Sequence, residues 1–358
     1  MKALLAKNPY VIAEAGVNHN GDYALACELI EKAAWAGDNA VKFQTFVASK
    51  LATGCAKNAA YQNERCPDKE SHLAMLKSLE LPYNWHNDLQ QRAADCGIDF
   101  LSSAFDLESA QFLIDIGVPY LKIPSGEITN AALLWTLGNS KKPLIMSTGM
   151  SNMEEIAFAL SIIAHSRCNS QEPKSREELD KYLNFSAGLD DVVLLHCNSQ
   201  YPTALNDVNM LAMEKIGEFF RVPVGYSDHT KGKLVPIVAV ANGAMVIEKH
   251  FTLDNGMAGP DHHMSMEPEA FKEMVKDMRS VKKILGSNVK RARGSEFSNI
   301  NISRQRLVAT QEIKLGETIT HSSVTTSRAS SVVFANNYYD VIGTKAKKGF
   351  LPGMPIEL

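Results

Sequence analysis

The sequence predicts a (β/α)8 barrel followed by a small β-rich module. Three observations support this: the length of 358 residues, an alternation of short apolar runs with longer amphipathic segments, and a change of pattern after residue 286. A barrel of this class takes about 250 residues, so the length leaves room for a second module. Hydrophobic residues make up 45% of the chain and charged residues 22%, a balance that suits a globular protein with a buried core.

Eight apolar or β-branched runs are predicted strands, and helical segments separate consecutive runs. Their near-continuous apolar character is typical of parallel strands that are covered on both faces. The eight runs are YVIAEAG (10–16), NAVKFQTF (39–46), DFLSSAF (99–105), YLKIPSG (120–126), PLIMSTG (143–149), VVLLHCN (192–198), VPVGYSDH (222–229) and MVIEKHFT (245–252). Eight strand and helix units indicate a closed (β/α)8 barrel.

The predicted domain boundaries follow from the change of pattern near residue 286. The barrel is expected to span residues 1–285, with its last helix over 267–285. Residues 286–303 are basic, rich in Ser and Asn and aperiodic, which indicates a linker. Residues 304–358 contain short strand signals broken by Gly and Pro, so they predict a compact β-rich domain that is too small to hold much core alone.

Composition excludes several classes of partner. The net charge of -3 supplies no long-range field for nucleic acid or for an anionic membrane surface. The six cysteines include no CxxC pair, which argues against a disulfide framework or a thiolate zinc site. The first ten residues lack the apolar run of a signal peptide, and no run approaches the ~20 apolar residues that span a bilayer. We therefore expect a cytoplasmic protein.

Ionisable and hydroxyl side chains collect at the carboxyl ends of the predicted strands, where active sites of such barrels lie. Lys42 and Lys122 lie within apolar strands, where an unpaired ammonium is costly to desolvate. One interpretation pairs each lysine with a carboxylate such as Glu14 or Glu127. The other makes the lysines part of a cradle for a phosphate and a carboxylate, which matches phosphoenolpyruvate better than a neutral sugar. The hydroxyls of that cradle would belong to Ser103, Ser125, Ser147 and Ser227.

Two histidines at the ends of neighbouring strands form a candidate metal site. His229 ends the seventh run and His250 lies near the end of the eighth, on strands that are about 4.8 Å apart. A single histidine is more simply a hydrogen-bonded core residue, but a matched pair can share one cation. The remaining ligands would be water and substrate oxygen. Such an open coordination shell is typical of Mn²⁺, with Mg²⁺ or Co²⁺ as alternatives, and not of a closed structural zinc site.

Two glutamates are candidates for the catalytic base. Glu127 follows the fourth strand in the tripeptide Ser-Gly-Glu, and Glu14 lies in the first strand. Either carboxylate could instead hold a substrate hydroxyl. The loop after the eighth strand, GPDHHMSMEP, has turn formers at its start, and His262 and His263 within it are interpreted as solvent-exposed loop residues.

Long motifs recur along the chain at the predicted strand ends: AEAGVNHNGD, AVKFQTF, KIPSGEITN, LIMSTGM, LLHCNSQYPT, VGYSDHT, IEKHFTLD and GPDHHMSMEP. Together they resemble the sialic acid synthase family, over about residues 10–328. Ordered motifs at matching spacing are much more specific than one short pattern. The family contains synthases of N-acetylneuraminate, N,N'-diacetyllegionaminate and pseudaminate. The resemblance implies a barrel, a C-terminal antifreeze-like (SAF) domain and a domain-swapped homodimer.

The resemblance also implies roles for the candidate residues. Phosphoenolpyruvate would be bound by Lys42, Ser103, Lys122, Ser125, Ser147, Ser199 and Ser227. The N-acylamino sugar would be held by Glu14, Gln44, Asn63, Tyr201, Asp261 and Arg328, the last reaching in from the partner subunit. The divalent metal would be bound by His229 and His250. Glu127 would handle the attacking water, with Glu14 as the second catalytic candidate.

The implied reaction is a metal-dependent condensation of phosphoenolpyruvate with N-acetylmannosamine or 2,4-diacetamido-2,4,6-trideoxymannose. The products would be phosphate and N-acetylneuraminate or a legionaminate-type sugar. Alternatives are a pseudaminate synthase, another phosphoenolpyruvate-dependent sugar-acid synthase, or a silent sugar-binding or ice-binding protein that kept the barrel. The complete set of two glutamates, two lysines and two histidines argues against the silent protein. The motif forms are nearer to the neuraminate and legionaminate branches than to the pseudaminate branch.

Overall fold

The computed structural model describes residues 8–52, 72–185 and 187–357. The chain divides into two compact units, with the boundary between Gly286 and Ser287. Within the described residues, the first unit contains a closed barrel of eight parallel strands in sequential order. The predicted (β/α)8 fold is confirmed. No helix in the described part of the chain combines the length and the apolar character needed to cross a membrane.

Each barrel strand falls within its predicted run. The strands are β1 Tyr10–Gly16, β2 Ala40–Thr45, β3 Asp99–Ala104, β4 Leu121–Ile123, β5 Leu144–Ser147, β6 Val192–Cys197, β7 Val224–Asp228 and β8 Val246–His250. The helices within the described part of this unit are α1 Tyr23–Ala36, α2 Ala48–Leu51, α3 His72–Ser78, α4 His86–Asp95, α5 Leu107–Asp115, α6 Ala131–Asn139, α7 Met153–Cys168, α8 Arg176–Asp180, α9 Leu211–Phe220, α10 Leu234–Ala241 and α11 Pro268–Leu285. Local capping defines the ends of several helices. The Asp22 side chain accepts from the first backbone N–H groups of α1, for example.

Strand side chains alternate between the barrel interior and the surrounding helix layer, since successive residues of a strand point to opposite faces. The interior begins with an apolar layer formed by Tyr10, Ile12, Ala40, Leu101, Tyr120, Ile145, Val193, Leu195 and Val246. The next inward positions, toward the carboxyl ends, are polar: Glu14, Lys42, Ser103, Lys122, Ser147, Ser227 and Glu248. A polar floor therefore lies on an apolar plug, at the end of the barrel where the sequence predicts the active site.

The second unit has its own small core around a two-stranded antiparallel sheet. Strand β9 is Arg306–Ala309 and strand β10 is Val324–Ser327. The hydrophobic core of this unit contains Leu307, Ala309, Ile313, Ile319, Val324, Val333, Val341, Ala346, Phe350 and Ile356. A one-turn helix, α13, follows at Tyr338–Val341.

The segment 286–303, predicted as an aperiodic linker, is only partly irregular. It contains a 3-10 turn at Gly294–Glu296 and a short helix, α12, at Phe297–Ser303. The backbone N–H of Arg293 donates to the Glu296 side chain at 2.8 Å, which supports the start of this turn. This helix could not be predicted from the sequence, because Ser and Asn dominate it and its apolar residues show no amphipathic period.

Asp38, between α1 and β2, is a buried ionisable residue of the barrel unit whose effect on stability should depend on pH. It is buried, and neither carboxyl oxygen has a hydrogen-bond partner among the described residues. Burial raises the pKa of Asp38 well above its usual range, although the nearby Arg279 guanidinium opposes this shift. As pH rises past the ordinary Asp pKa, the unfolded chain loses this proton while the folded chain keeps it. Asp38 therefore lowers the stability of the fold increasingly toward neutral pH.

We expect Asp38→Asn to raise the melting temperature by about 2 °C or more at pH 7.5 and to change it little at pH 4. The amide carries no proton to lose, so the loss of stability at neutral pH disappears. Thermal unfolding followed by circular dichroism at both pH values measures the effect, and Asp190→Asn, at an exposed position, is the matched control. An equal shift at both pH values would contradict this account.

Candidate active site

A cavity of about 290 Å³ lies at the carboxyl ends of the barrel strands. Most of the sequence-predicted site residues line it: Glu14, Lys42, Gln44, Ser103, Lys122, Ser125, Ser147, Ser199, Tyr201, Ser227, His229, His250 and Asp261. They come from all eight barrel strands or the loops that follow them. The barrel thus brings together groups that are up to about 250 residues apart in sequence.

Two buried lysines form the cationic part of the floor. Lys42 Nζ donates to Ser103 Oγ at 3.0 Å, and Lys122 Nζ donates to Ser147 Oγ at 2.8 Å. Lys42 also forms an ion pair with Glu14, as one of the two interpretations of the sequence expected. Burial lowers the pKa of Lys42 to about 7, and a bound anion would raise it again by favouring the charged form.

Glu248 is a central residue of the floor that the sequence analysis missed. Its Oε1 lies 3.4 Å from Lys122 Nζ and accepts from Ser227 Oγ at 2.9 Å, and its Oε2 lies 3.7 Å from Lys42 Nζ. Burial alone would raise the pKa of Glu248, but the two lysines lower it to about 2, so it stays ionised. Its carboxylate, and not that of Glu127, is the partner of Lys122. Strand parity could have found it, since Glu248 and His250 lie two residues apart on one face.

Two serines approach the cavity beside Gly149. Ser125 Oγ accepts from the Gly149 backbone N–H at 3.0 Å and lies 3.1 Å from Cys197 Sγ. A Cβ on Gly149 would lie 2.6 Å from Ser199 Oγ and 2.8 Å from Ser125 Oγ. Because a side chain at residue 149 would displace both hydroxyls, glycine here allows the two serines to approach the same point.

The two predicted metal-binding histidines are neighbours in the structure. The ring centroids of His229 and His250 are 5.5 Å apart. His229 Nδ1 donates to the Asn198 carbonyl at 2.5 Å, which fixes the tautomer and leaves Nε2 as an acceptor, 2.9 Å from the Tyr201 hydroxyl. Burial lowers the pKa of both His229 and His250, so both imidazoles are neutral at pH 7.

The histidine pair has the chemistry of an open metal site. His250 Nδ1 is buried without a hydrogen-bond partner among the described residues and lies 4.0 Å from Asp261 Oδ2. Burial raises the pKa of Asp261 to about 6. Within the described residues no third histidine, cysteine or carboxylate completes a three-ligand cluster. Two neutral ring nitrogens fit a cation whose other ligands are water and substrate.

Among the described residues, two predicted site residues are not part of this lining. Glu127 ends the 3-10 turn Ser125–Glu127, is half-buried, and accepts from Asn130 Nδ2 at 2.7 Å. Arg328 follows strand β10 in the second unit, where it is exposed. Asn63 lies outside the residues that the structure describes.

The loop after β8 is more ordered than the sequence suggested. The prediction that His262 is solvent-exposed is wrong: it is fully buried, and its ring nitrogens lie 2.6 Å from Thr252 Oγ1 and 3.0 Å from Asn20 Nδ2. The loop folds back on the β1 loop, because these polar side chains satisfy the ring inside the fold. His263 is half-buried.

One wall of the cavity is apolar. Its residues follow β1, β2 and β3, belong to α2 and α3, or directly follow α3. We call them the apolar wall: Val17, Phe46, Leu51, Met75, Leu76, Leu79 and Phe105. They form a cluster separate from the main core. The cavity therefore has charged side chains on its floor and hydrophobic side chains along one wall.

Comparison with known proteins identifies the family. Residues 29–290 match the NeuB family. The N,N'-diacetyllegionaminic acid synthase of Campylobacter jejuni is 42% identical over 344 residues, covering 96% of this chain and 97% of that protein. The chain belongs to the NeuB family. The sequence-based resemblance to sialic acid synthases, on the legionaminate side, is confirmed.

Two further relatives match with lower sequence identity. The pseudaminic acid synthase of Helicobacter pylori is 30% identical over 348 residues, covering 97% of this chain and 96% of that protein. Among solved structures, the N-acetylneuraminic acid (sialic acid) synthetase of Leptospira borgpetersenii superposes with a TM-score of 0.67 at 32% identity, covering 82% of this chain and 90% of that one. The NeuB barrel fold and an enzymatic role are thus shared with characterised synthases.

Proposed function

We propose that this NeuB-family enzyme condenses phosphoenolpyruvate with 2,4-diacetamido-2,4,6-trideoxymannose to give N,N'-diacetyllegionaminate and phosphate. The product is that of the Campylobacter jejuni relative at 42% identity, whereas the Helicobacter pylori pseudaminic acid synthase is 30% identical. The observation that carries the chemistry is the pair of buried lysines, each hydrogen-bonded to a serine on the next strand, beside two neutral histidines.

The lysines and serines bind phosphoenolpyruvate. Lys42 and Lys122 supply two positive charges, and hydroxyl donors surround them on the same floor. Charge-assisted hydrogen bonds of this kind are about twice as strong as neutral ones, so the site favours a ligand with several negative charges. The serines of this cradle are Ser103, Ser125, Ser147, Ser199 and Ser227.

His229 and His250 hold the divalent cation, with Mn²⁺ as the expected ion. When bound, the cation acts as a Lewis acid on the aldehyde oxygen of the sugar. The Tyr201 hydroxyl is 2.9 Å from His229 Nε2, so Tyr201 orients this imidazole, whose Nε2 would serve as the ligand atom. Asp261, 4.0 Å from His250, lies where it can contact the sugar or its hydration water.

The reaction forms one C–C bond and breaks one C–O bond. C3 of phosphoenolpyruvate attacks the aldehyde carbon, and the aldehyde oxygen takes a proton from water to become a hydroxyl. Water adds to C2 while Glu127 accepts its proton, and the tetrahedral centre collapses to a ketone with loss of phosphate. Glu14 forms an ion pair with Lys42 and accepts a hydrogen bond from Gln44 Nε2 at 3.3 Å. Its carboxylate holds sugar hydroxyls, on the side of the floor opposite to Glu127.

The apolar wall supports the diacetamido sugar as substrate. That sugar differs from N-acetylmannosamine in two places. An acetamido group stands in place of one hydroxyl, and hydrogen stands in place of another, so a methyl group occupies the position of a hydroxymethyl group. Hydrophobic side chains bury methyl groups favourably, but they leave a hydroxyl without a hydrogen-bond partner. Leu51 and Phe105 of this wall are half-buried and face the cavity.

We expect kcat/KM for 2,4-diacetamido-2,4,6-trideoxymannose to exceed that for N-acetylmannosamine by about 10²-fold. Phosphate release at equal sugar concentrations, with saturating phosphoenolpyruvate and Mn²⁺, measures the ratio. Leu51→Asn should reduce the preference by about 10-fold, because the amide can pair with a hydroxyl. Leu205→Asn, at an exposed position outside this wall, is the control. Equal or better turnover of N-acetylmannosamine by the wild-type enzyme would contradict the assignment of substrate.

The roles of Asn63 and Arg328 and the domain-swapped homodimer remain predictions from the family resemblance. Arg328 is exposed in its own unit, which is compatible with a contact to a second subunit. Sedimentation of the purified chain tests the dimer, and Arg328→Ala tests the contribution of this side chain to sugar affinity.

A further inference from the structure

Two oppositely charged side chains lie in the helix layer, on the outer face of the strands that carry the histidine pair. Asp228 ends β7, and Lys249 precedes His250 at the end of β8. The two residues are direct partners in the parallel ladder, and Lys249 Nζ donates to Asp228 Oδ2 at 2.5 Å. Their side chains are 0% and 3% exposed, so this ion pair is fully enclosed.

Further hydrogen bonds connect this ion pair to the chain on both sides of His229. Lys249 Nζ also donates to the Thr230 carbonyl at 2.6 Å. The backbone N–H and the hydroxyl of Thr230 both donate to Asp228 Oδ1, at 3.0 and 2.8 Å. Asp228 and Thr230 flank His229 in sequence, so Lys249 contacts both neighbours of His229. Lys249 is itself the residue before His250.

Nothing in the packing around Asp228 and Lys249 requires charged side chains at these two positions. The outward residues one step earlier on the same two strands are Tyr226 and Ile247, both fully buried. Desolvation of a buried ion pair offsets much of its attraction, and an apolar pair of similar volume is often at least as stabilising. What an ion pair with three further hydrogen bonds does provide is a fixed geometry between two strand ends.

We propose that Asp228 and Lys249 are positioning residues that fix the carboxyl ends of β7 and β8 relative to one another, and so set the separation at which His229 and His250 share a divalent cation. This inference rests on the metal site of the proposed function. Neither residue lines the cavity. The pair acts through the backbone of the two ligands, as outer hydrogen-bond partners of metal ligands generally do.

The test measures metal affinity and fold stability separately. We expect Lys249→Met to weaken Mn²⁺ binding by about 10- to 100-fold, the usual effect of losing such a partner. The double variant Asp228→Leu with Lys249→Met removes both charges, and we expect it to melt at or above the wild-type temperature while Mn²⁺ binding stays weak. Electron paramagnetic resonance of free Mn²⁺, titrated into metal-free protein, gives the affinity, and thermal unfolding gives the stability.

The matched control is a substitution that breaks a different ion pair of the barrel unit, one that is only partly buried. Arg167, on α7, pairs with Asp191 just before β6 and donates to the Gly188 carbonyl at 3.0 Å. Arg167→Met should lower the melting temperature and leave Mn²⁺ affinity unchanged. This separates a general loss of stability from an effect on the histidine pair.

Two results would overturn the inference. One is wild-type Mn²⁺ affinity in the folded double variant, which would show that the pair contributes only to folding. The other is a loss of affinity in Arg167→Met as large as that in Lys249→Met. Should Lys249→Met fail to fold, the double variant alone decides between these outcomes. A wild-type protein without Mn²⁺ affinity would instead overturn the metal site itself, and the inference with it.

Discussion

Replacing Lys122 with Met is expected to lower kcat/KM for phosphoenolpyruvate by about 10³-fold. The substitution removes one of the two cations of the floor, the one that lies 3.4 Å from the Glu248 carboxylate, and leaves that carboxylate with Lys42 at 3.7 Å and the Ser227 hydroxyl at 2.9 Å. Removing one partner of a buried pair costs about 3–5 kcal/mol, and the uncompensated carboxylate also repels the incoming anion. Initial rates of phosphate release over a range of phosphoenolpyruvate concentrations measure the effect.

The matched control for this prediction is Lys233→Met. Lys233 is 41% exposed and pairs with Glu273 and Asp277 at the protein surface, both at 2.9 Å. Such exposed pairs contribute little, so its kcat/KM should stay within about twofold of wild type. A Lys122→Met enzyme with near-normal kcat/KM would show that the lysine is a structural partner of Glu248 and not part of an anion cradle.

Glu127→Gln is expected to lower kcat by about 10²- to 10⁴-fold with little change in phosphoenolpyruvate affinity. The amide keeps the shape of the side chain but cannot accept the proton of the attacking water. Glu127 lies next to Gly126, which lines the cavity, and its carboxylate accepts a hydrogen bond from Asn130 Nδ2 at 2.7 Å. Single-turnover rates together with equilibrium binding of phosphoenolpyruvate separate the two parameters.

Glu154→Gln is the control for that substitution, because Glu154 is an exposed carboxylate near the start of α7. We expect its kcat to equal that of wild type. Near-normal turnover of Glu127→Gln would remove Glu127 from the role and leave Glu14, which does line the cavity, as the base.

The barrel could be predicted because each strand is a short apolar run, and burial on both faces leaves little choice of residue at those positions. The histidine pair and the lysines were predictable for a related reason, since a polar residue at the end of an apolar strand stands out. His262 was misjudged because its burial depends on Thr252 and Asn20, which come from other segments of the chain.

Glu248 and the Asp228 and Lys249 pair show what strand patterns alone do not reveal. All three are charged residues near strand ends, and the direction in which each one points follows only when the parity of its strand is applied, for example from His250 in β8. In the structure, Val246 belongs to the inner apolar layer, so Glu248 faces inward and Lys249 outward. The apolar wall was equally hidden, because it is assembled from residues after three different strands.

The most direct test of the proposed reaction uses phosphoenolpyruvate labelled with ¹⁸O at the bridging oxygen, incubated with the enzyme, Mn²⁺ and 2,4-diacetamido-2,4,6-trideoxymannose. Addition of water at C2 and cleavage of the C–O bond leave the bridging oxygen on phosphate. The account therefore predicts ¹⁸O-labelled phosphate that appears only when both sugar and metal are present. Unlabelled phosphate, or release that does not depend on the sugar, would contradict it.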